Sequence, residues 1–214
     1  MTRRSLREAR RYVLAAGLAE LALLPLGVLR GRLLAAVGAV CLVFFRDPTR
    51  VTEADADLVY ATADGVVVGV DTVTDAWLEG DALRIGTFLS LYDVHVNRSP
   101  VAGRIVLTDE SPGGFAPAFL KRATANHRKR LAIDAGGRRV VVVQIAGLLA
   151  RRISSWAWTG DPVTAGQRIA LIHFGSRAEV LVPAAAVRPL VRVGQRVRAG
   201  ITPIARYEAS GGTA

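Results

Sequence analysis

From Leu58 onward the chain is written in short β-branched runs broken by glycine, and that texture restricts it to strands and tight turns. Gly65-Val66-Val67-Val68-Gly69-Val70 and Arg139-Val140-Val141-Val142-Val143-Gln144-Ile145 show it most clearly. Branching at Cβ stiffens χ1, which suits a pleated surface better than a helix. Helical periodicity is weak here, apart from a short candidate helix around Ala146 to Arg151. The segment from Thr108 to Arg130 carries Ser111-Pro112-Gly113-Gly114, Pro117, Lys121, Arg122, Arg128 and Lys129, and reads as a long surface loop. The tail after Tyr207, residues 209–214, is expected to be disordered.

Upstream the texture is different. Arg3, Arg4, Arg7, Arg10 and Arg11 precede an apolar stretch from Tyr12 to Leu29, and Arg30-Gly31-Arg32 interrupts before a second from Leu33 to Phe45. Both are shorter than the roughly 20 apolar residues that span a bilayer, and Glu20 and Pro25 sit inside the first. A secretory leader is disfavoured, because no small-residue cleavage site ends the first stretch and a second follows at once. Leu, Ala and Val occupy every helical face rather than one stripe, which argues against a buried soluble helix pair. The expectation for residues 1–45 is an apolar helical hairpin dipping into one leaflet, its arginines at the headgroup level. That places the protein on the cytoplasmic face of the cell membrane, peripheral or monotopic.

Net charge is +10, and Lys121 and Lys129 are the only lysines. A basic surplus suits anionic lipid headgroups or nucleic acid. No recognition motif or aromatic-rich basic strand accompanies it, so nucleic acid is not an expected partner. Chemistry through a reactive lysine has little to draw on. The single Cys41 excludes an internal disulfide framework and a cysteine-rich metal site. His95, His127 and His173 are too scattered for a zinc spacing, and no metal is expected.

Two segments echo each other. Gly160-Asp161-Pro162-Val163-Thr164-Ala165-Gly166-Gln167-Arg168-Ile169-Ala170 returns as Val193-Gly194-Gln195-Arg196-Val197-Arg198-Ala199-Gly200-Ile201-Thr202-Pro203-Ile204-Ala205. Both are similar to the tight turns of biotinyl/lipoyl-type barrel-sandwich domains, although neither holds a lysine for a carrier to modify. The expected fold is therefore mainly β, a barrel-sandwich domain over residues 46–208 beside the N-terminal helical hairpin.

Ile172-His173-Phe174-Gly175-Ser176-Arg177 follows a run that reads as strand. Gly-Ser is a common turn pair, but it also permits self-cleavage. A serine hydroxyl held against the preceding glycine carbonyl adds to it and shifts the acyl group from nitrogen to oxygen, so that an ester replaces the amide. β-Elimination then leaves dehydroalanine, which tautomerises to an imine and hydrolyses to a pyruvoyl group, cutting the chain into 1–175 and 176–214. Glycine at 175 has no Cβ to obstruct attack and tolerates strained backbone. A neutral hydroxyl needs a base, and histidine titrates in the right range. The base in turn needs an orienting carboxylate. His173 stands three residues from Ser176, about 10 Å away on extended backbone, and fits a core or pocket-wall role better.

With Phe44-Phe45-Arg46-Asp47-Pro48, Ala63-Asp64-Gly65-Val66-Val67 and the run from Phe88 through Asp93-Val94-His95-Val96-Asn97-Arg98 to Pro100, the Gly175-Ser176 segment resembles the phosphatidylserine decarboxylase family in its short form. The resemblance covers nearly the whole chain. It implies a self-processing zymogen that converts phosphatidylserine to phosphatidylethanolamine and carbon dioxide. The chemistry would run through a Schiff base between the headgroup amine and a pyruvoyl group made from Ser176. It implies Ser176, His95 and Asp64 as catalytic residues, with His95 the base, Asp64 its orienting carboxylate, and Gly175-Ser176 the cleavage site. Arg98 and Arg177 are candidate substrate-binding residues, with the basic loop around Lys121 and Arg122 beside them, since arginine matches phosphate by forked contacts. Expected partners are the phospholipid, a membrane surface, and the two cleavage fragments as a heterodimer.

Two positions depart from the family pattern. Longer members carry a second histidine where Arg98 stands, and Asn126-His127-Arg128 stands where Asn-Glu-Arg is common. Archaetidylserine would present the same headgroup. A non-catalytic barrel-sandwich membrane adaptor is the alternative if Ser176 never reacts.

Overall fold

The computed structural model describes residues 2–26, 32–114, 126–147, 152–173 and 176–208. The chain divides into two compact units, Met1–Thr49 and Arg50–Ala214, a few residues beyond the boundary expected at 45/46.

The first unit is helical. Helix α1 covers Arg3–Leu23, a 3₁₀ turn covers Leu24–Leu26, and α2 covers Arg32–Phe44. Thr2 caps α1: its hydroxyl accepts the Ser5 N–H at 3.4 Å while the Ser5 hydroxyl accepts the Thr2 N–H at 3.1 Å. This reciprocal box starts the helix ahead of the arginines, so they lie inside α1 rather than before it. Glu20, awkward in an apolar run, is buried and accepts the Leu34 N–H at 2.8 Å. It thereby satisfies one of the orphan donors in the first turn of α2. With the Tyr12 and Phe45 rings 5.6 Å apart, this contact sets the two helices antiparallel. Leu14, Leu18, Leu21, Leu42 and Val43 remain exposed. Among the described residues, no helix is long and apolar enough to cross a membrane.

The second unit is β. An eight-stranded antiparallel sheet has the order β13-β2-β3-β11-β7-β6-β5-β9. Its strands are β2 Gly65–Asp75, β3 Gly80–Leu89, β5 Gly103–Ser111, β6 Arg128–Asp134, β7 Arg139–Ala146, β9 Pro162–Val163, β11 Ser176–Pro183 and β13 Arg196–Val197. Two three-stranded sheets complete the unit. One joins β1 Leu58–Tyr60, β14 Pro203–Tyr207 and β12 Val187–Pro189; the other joins β4 Val96–Arg98, β10 Arg168–Ile172 and β8 Ile153–Ser155. Alternation along each strand sends Val67, Ile85, Leu131, Ile133, Val140, Val142, Val180 and Val182 to one face of the large sheet. There they pack with Val59, Ile169, Val187 and Ile204 of the small sheets to form the main core. The opposite face carries a smaller cluster in which Leu78 covers Ala132, Val141, Val143 and Leu181.

The valine runs at 65–70 and 139–145 fall in β2 and β7. The region 108–130 differs from the loop read in the sequence, because β5 and β6 pair as far as Ser111 opposite Arg128. Its ends are strand, and residues 115–125, with Lys121 and Arg122, lie outside the described residues. So do Leu148 to Arg151 of the candidate helix and the tail at 209–214; Ala146 itself ends β7. The sequence echo is a structural one. The Gly166 N–H donates to the Ser99 carbonyl, and the Ser99 N–H returns to the Gln167 carbonyl; Gly194, Gln195 and Val67 repeat the exchange. In each turn the glutamine side chain also accepts the N–H three residues back, from Thr164 and from Arg192. Both turn glycines have positive φ, +75° at Gly166 and +89° at Gly194, which L side chains adopt poorly.

Candidate active site

Ser176 opens β11, the strand paired between β3 and β7, with Leu89 opposite on one side and Ala146 on the other. The residue is wholly buried, and its hydroxyl has no hydrogen-bond partner among the described residues. An orphaned buried hydroxyl costs about 1–3 kcal/mol, a cost that a structural serine ordinarily avoids. Gly175 lies outside the described residues. Small neighbours surround Ser176: Ala146 sits across from it, and Ala63, Leu89 and Ala178 form a buried cluster beside it.

Ala63 brings the Ala63-Asp64-Gly65 segment to this end of the sheet. Gly65 is sterically obligatory there, since a Cβ would stand 1.9 Å from the Phe88 carbonyl oxygen and φ is +150°. Asp64 receives both terminal nitrogens of Arg50, at 2.6 and 2.7 Å, and the Ala199 N–H at 2.8 Å. The His95 ring meets the Asp93 carbonyl, 2.9 Å from Nδ1. A carbonyl only accepts, so Nδ1 carries the proton and Nε2 is the basic nitrogen. His95 is fully buried and leads into β4, where its own carbonyl accepts the Ile172 N–H. The carboxylate of Asp93 is held separately, by the Ser90 hydroxyl at 2.6 Å and by Arg196.

The two arginines expected to hold phosphate are both buried against protein. Arg98 gives Nη1 to the Gly166 carbonyl at 2.9 Å and exchanges backbone and hydroxyl bonds with Thr62. Arg177 points to the other face of the sheet from Ser176. There it pairs with Glu179 at 2.7 Å and lies over Gly86, where a Cβ would meet its Nη2 at 2.9 Å. His173 is buried, with Nε2 3.0 Å from the Ser154 hydroxyl, and His127 pairs with Glu110 at 3.1 Å.

Two polar residues to which the sequence reading gave no role meet at the Ser176 face. Gln144 of β7 stands diagonal to Ser176, and its Nε2 donates to Asn97 Oδ1 at 3.1 Å; both residues are wholly buried. Asn97 lies in β4, two residues after His95. The hydrogen bond between the two amides ties β4 to the Ser176 face of β7. Opposite Gln144 in the sheet, Lys129 lays its ammonium 4.0 Å from the Trp158 ring centre. Burial pushes the Lys129 pKa down, with Glu110 opposing. A glutamine inside a run of valines was the one signal that sequence offered.

A family model described as phosphatidylserine decarboxylase matches residues 37–205. The chain belongs to the phosphatidylserine decarboxylase family. Relatives named phosphatidylserine decarboxylase proenzyme include one from Ruegeria pomeroyi, 45% identical over 77% of this chain and 78% of its own. Those from Polynucleobacter asymbioticus and Paraburkholderia xenovorans are 44% and 43% identical, over 77% and 76% of this chain and 77% of each relative. Family membership makes the chain a decarboxylase, and the matched stretch includes Asp64, His95, Gln144 and Ser176.

Proposed function

We propose that this decarboxylase acts on phosphatidylserine and makes its own reactive carbonyl from Ser176. The observation that carries the reading is the buried Ser176 hydroxyl, directly after Gly175 in sequence and without a hydrogen-bond partner among the described residues. His95, protonated at Nδ1 by its bond to the Asp93 carbonyl, takes the hydroxyl proton at Nε2. The oxygen attacks the Gly175 carbonyl, the peptide C–N bond breaks, and an ester forms. Loss of the Ser176 α-proton expels the Gly175 carboxylate, and water then replaces the nitrogen, which leaves as ammonia. The resulting pyruvoyl group supplies a ketone that condenses with the substrate amine and takes up the electron pair left when carbon dioxide departs. Asp64 serves this site by fixing the Ala63-Asp64-Gly65 segment through Arg50 and Ala199.

The exposed leucines of α1 and α2 support the further reading that the helical unit lies in a membrane surface as an apolar hairpin. The repeated turn bonding at Gly166 and Gly194 supports barrel-sandwich kinship for the β unit. Intact-mass measurement tests the central step. Purified protein is expected as two fragments broken between Gly175 and Ser176, the smaller lacking a free amine, while Ser176→Ala stays whole. A single chain with an ordinary serine in the wild type overturns the reading.

A further inference from the structure

Three buried polar atoms at this end of the sheet have no hydrogen-bond partner among the described residues: Ser176 Oγ, Gln144 Oε1 and Asn97 Nδ2. The reaction proposed above uses the first and leaves the other two unexplained. Buried polar groups are ordinarily satisfied, because each orphan forfeits its hydration. The two belong to one bonded pair, Gln144 to Asn97. Turning both amides over merely exchanges their roles, so the pair keeps one unspent N–H donor and one unspent carbonyl acceptor either way. Gln144 is on the same face as Ser176, one diagonal step away, within reach for a long side chain. Alanines at 63, 146 and 178 are the small side chains beside Ser176.

Building on the proposed self-processing reading, we propose that the Gln144–Asn97 amide pair is the recognition site for the amino-acid end of the headgroup. The unspent N–H donates to the substrate's α-carboxylate, and the unspent carbonyl accepts from its α-ammonium. A donor beside an acceptor matches these two groups, which hang from one carbon. Neutral amides also suit the chemistry. An arginine paired to that carboxylate would stabilise negative charge on the carboxylate, which must pass as an electron pair to the α-carbon when neutral carbon dioxide departs, whereas an amide positions the carboxylate without neutralising it. The nearby guanidiniums are engaged elsewhere, Arg98 with Gly166 and Arg177 with Glu179 on the far face.

The test uses mature, self-cleaved enzyme carrying Gln144→Met or Asn97→Ser, with cleavage confirmed by intact mass. Two soluble probes share the amine and phosphodiester and differ only in the carboxylate: glycerophosphoserine and glycerophosphoethanolamine. The expected result is a tenfold or greater fall in kcat/KM for glycerophosphoserine. The glycerophosphoethanolamine concentration that half-labels the small fragment on cyanoborohydride trapping, read by mass, rises by no more than about threefold, because this probe keeps the ammonium contact and lacks the carboxylate. Equal weakening of both probes, or no change in either, overturns the proposal. Failure of both variants to cleave assigns the pair to maturation and also overturns it. Absence of cleavage in the wild type instead removes the function proposed above, so the two failures are distinguishable.

Discussion

The helical unit and the β unit treat their leucines and valines in opposite ways. In α1 and α2, Leu18, Leu21 and Leu42 are each more than 60% exposed, whereas the valines of β7 and β11 are almost wholly buried. One unit presents apolar surface and takes its internal order from caps and single bonds such as Glu20 to the Leu34 N–H. The other is close-packed, so that backbone, side chain and hydrogen bond constrain one another. Water is an adequate solvent for the second and a poor one for the first.

Glycine substitution probes that contrast most severely. Gly65→Ala drives a methyl into the Phe88 carbonyl at positive φ and should cost more than about 3 kcal/mol, seen as loss of the cooperative unfolding transition and of self-cleavage. Gly38→Ala, in the interior of α2 where an added Cβ meets nothing within 4 Å, should stabilise its helix by up to about 1 kcal/mol. Equal effects would abolish the distinction. Next in size is Arg50→Met, which strands the Asp64 carboxylate inside the β unit. Denaturant titration should show a loss of about 3 kcal/mol, against about 1 kcal/mol for Glu20→Gln, whose carbonyl still accepts the Leu34 N–H. Replacing Leu14, Leu18 and Leu21 together by Ser should leave the β unit's melting unchanged. Vesicle co-sedimentation should nevertheless fall about tenfold, the loss of partly buried leucine contacts, and retained lipid binding would sink the membrane role of α1.

The smallest effect is in acid. Asp75 in the β unit is buried, which by itself raises its pKa, but Arg130 and the N–H groups of Leu78 and Trp77 outweigh this and hold it below the ordinary 3.8. A carboxyl depressed in the folded state stabilises the fold above its ordinary value, and that contribution fades as pH falls through the folded value. Asp75→Asn should therefore be less stable than wild type near neutrality and show a flatter decline below pH 3.8. A decline parallel to wild type would remove Asp75 from the acid response.

Much of the β unit was legible because β-branching and glycine act locally: the valine runs became β2 and β7, and the repeated Gly-Gln turns became matched turns. Ser176 stood out as a candidate nucleophile through its chemistry and its neighbours in sequence. Register did not stand out. Nothing local to Arg177 says that it points away from Ser176, and nothing local to Asp64 says that Arg50 and Ala199 claim it. Gln144 and Asn97 meet across strands far apart in the chain, so their pairing is a property of the sheet's order rather than of either segment. The Thr108 to Arg130 region misled because its glycines and prolines outweighed Thr108 to Ser111, whose strand character comes from β6.

The seating of β11 between β3 and β7 does not depend on the bond that precedes it. A cut before Ser176, as proposed, would leave the short piece threaded through the middle of the large sheet by β11, lining one edge of that sheet through β13 and supplying β12 and β14 to one smaller sheet. Dilution alone would not part the two polypeptides. Dissolving them in denaturant would make reassembly a second-order encounter between strangers, the shorter holding only the β12–β14 pair by itself, and the proposed maturation would then be a one-way door for folding as well as for chemistry.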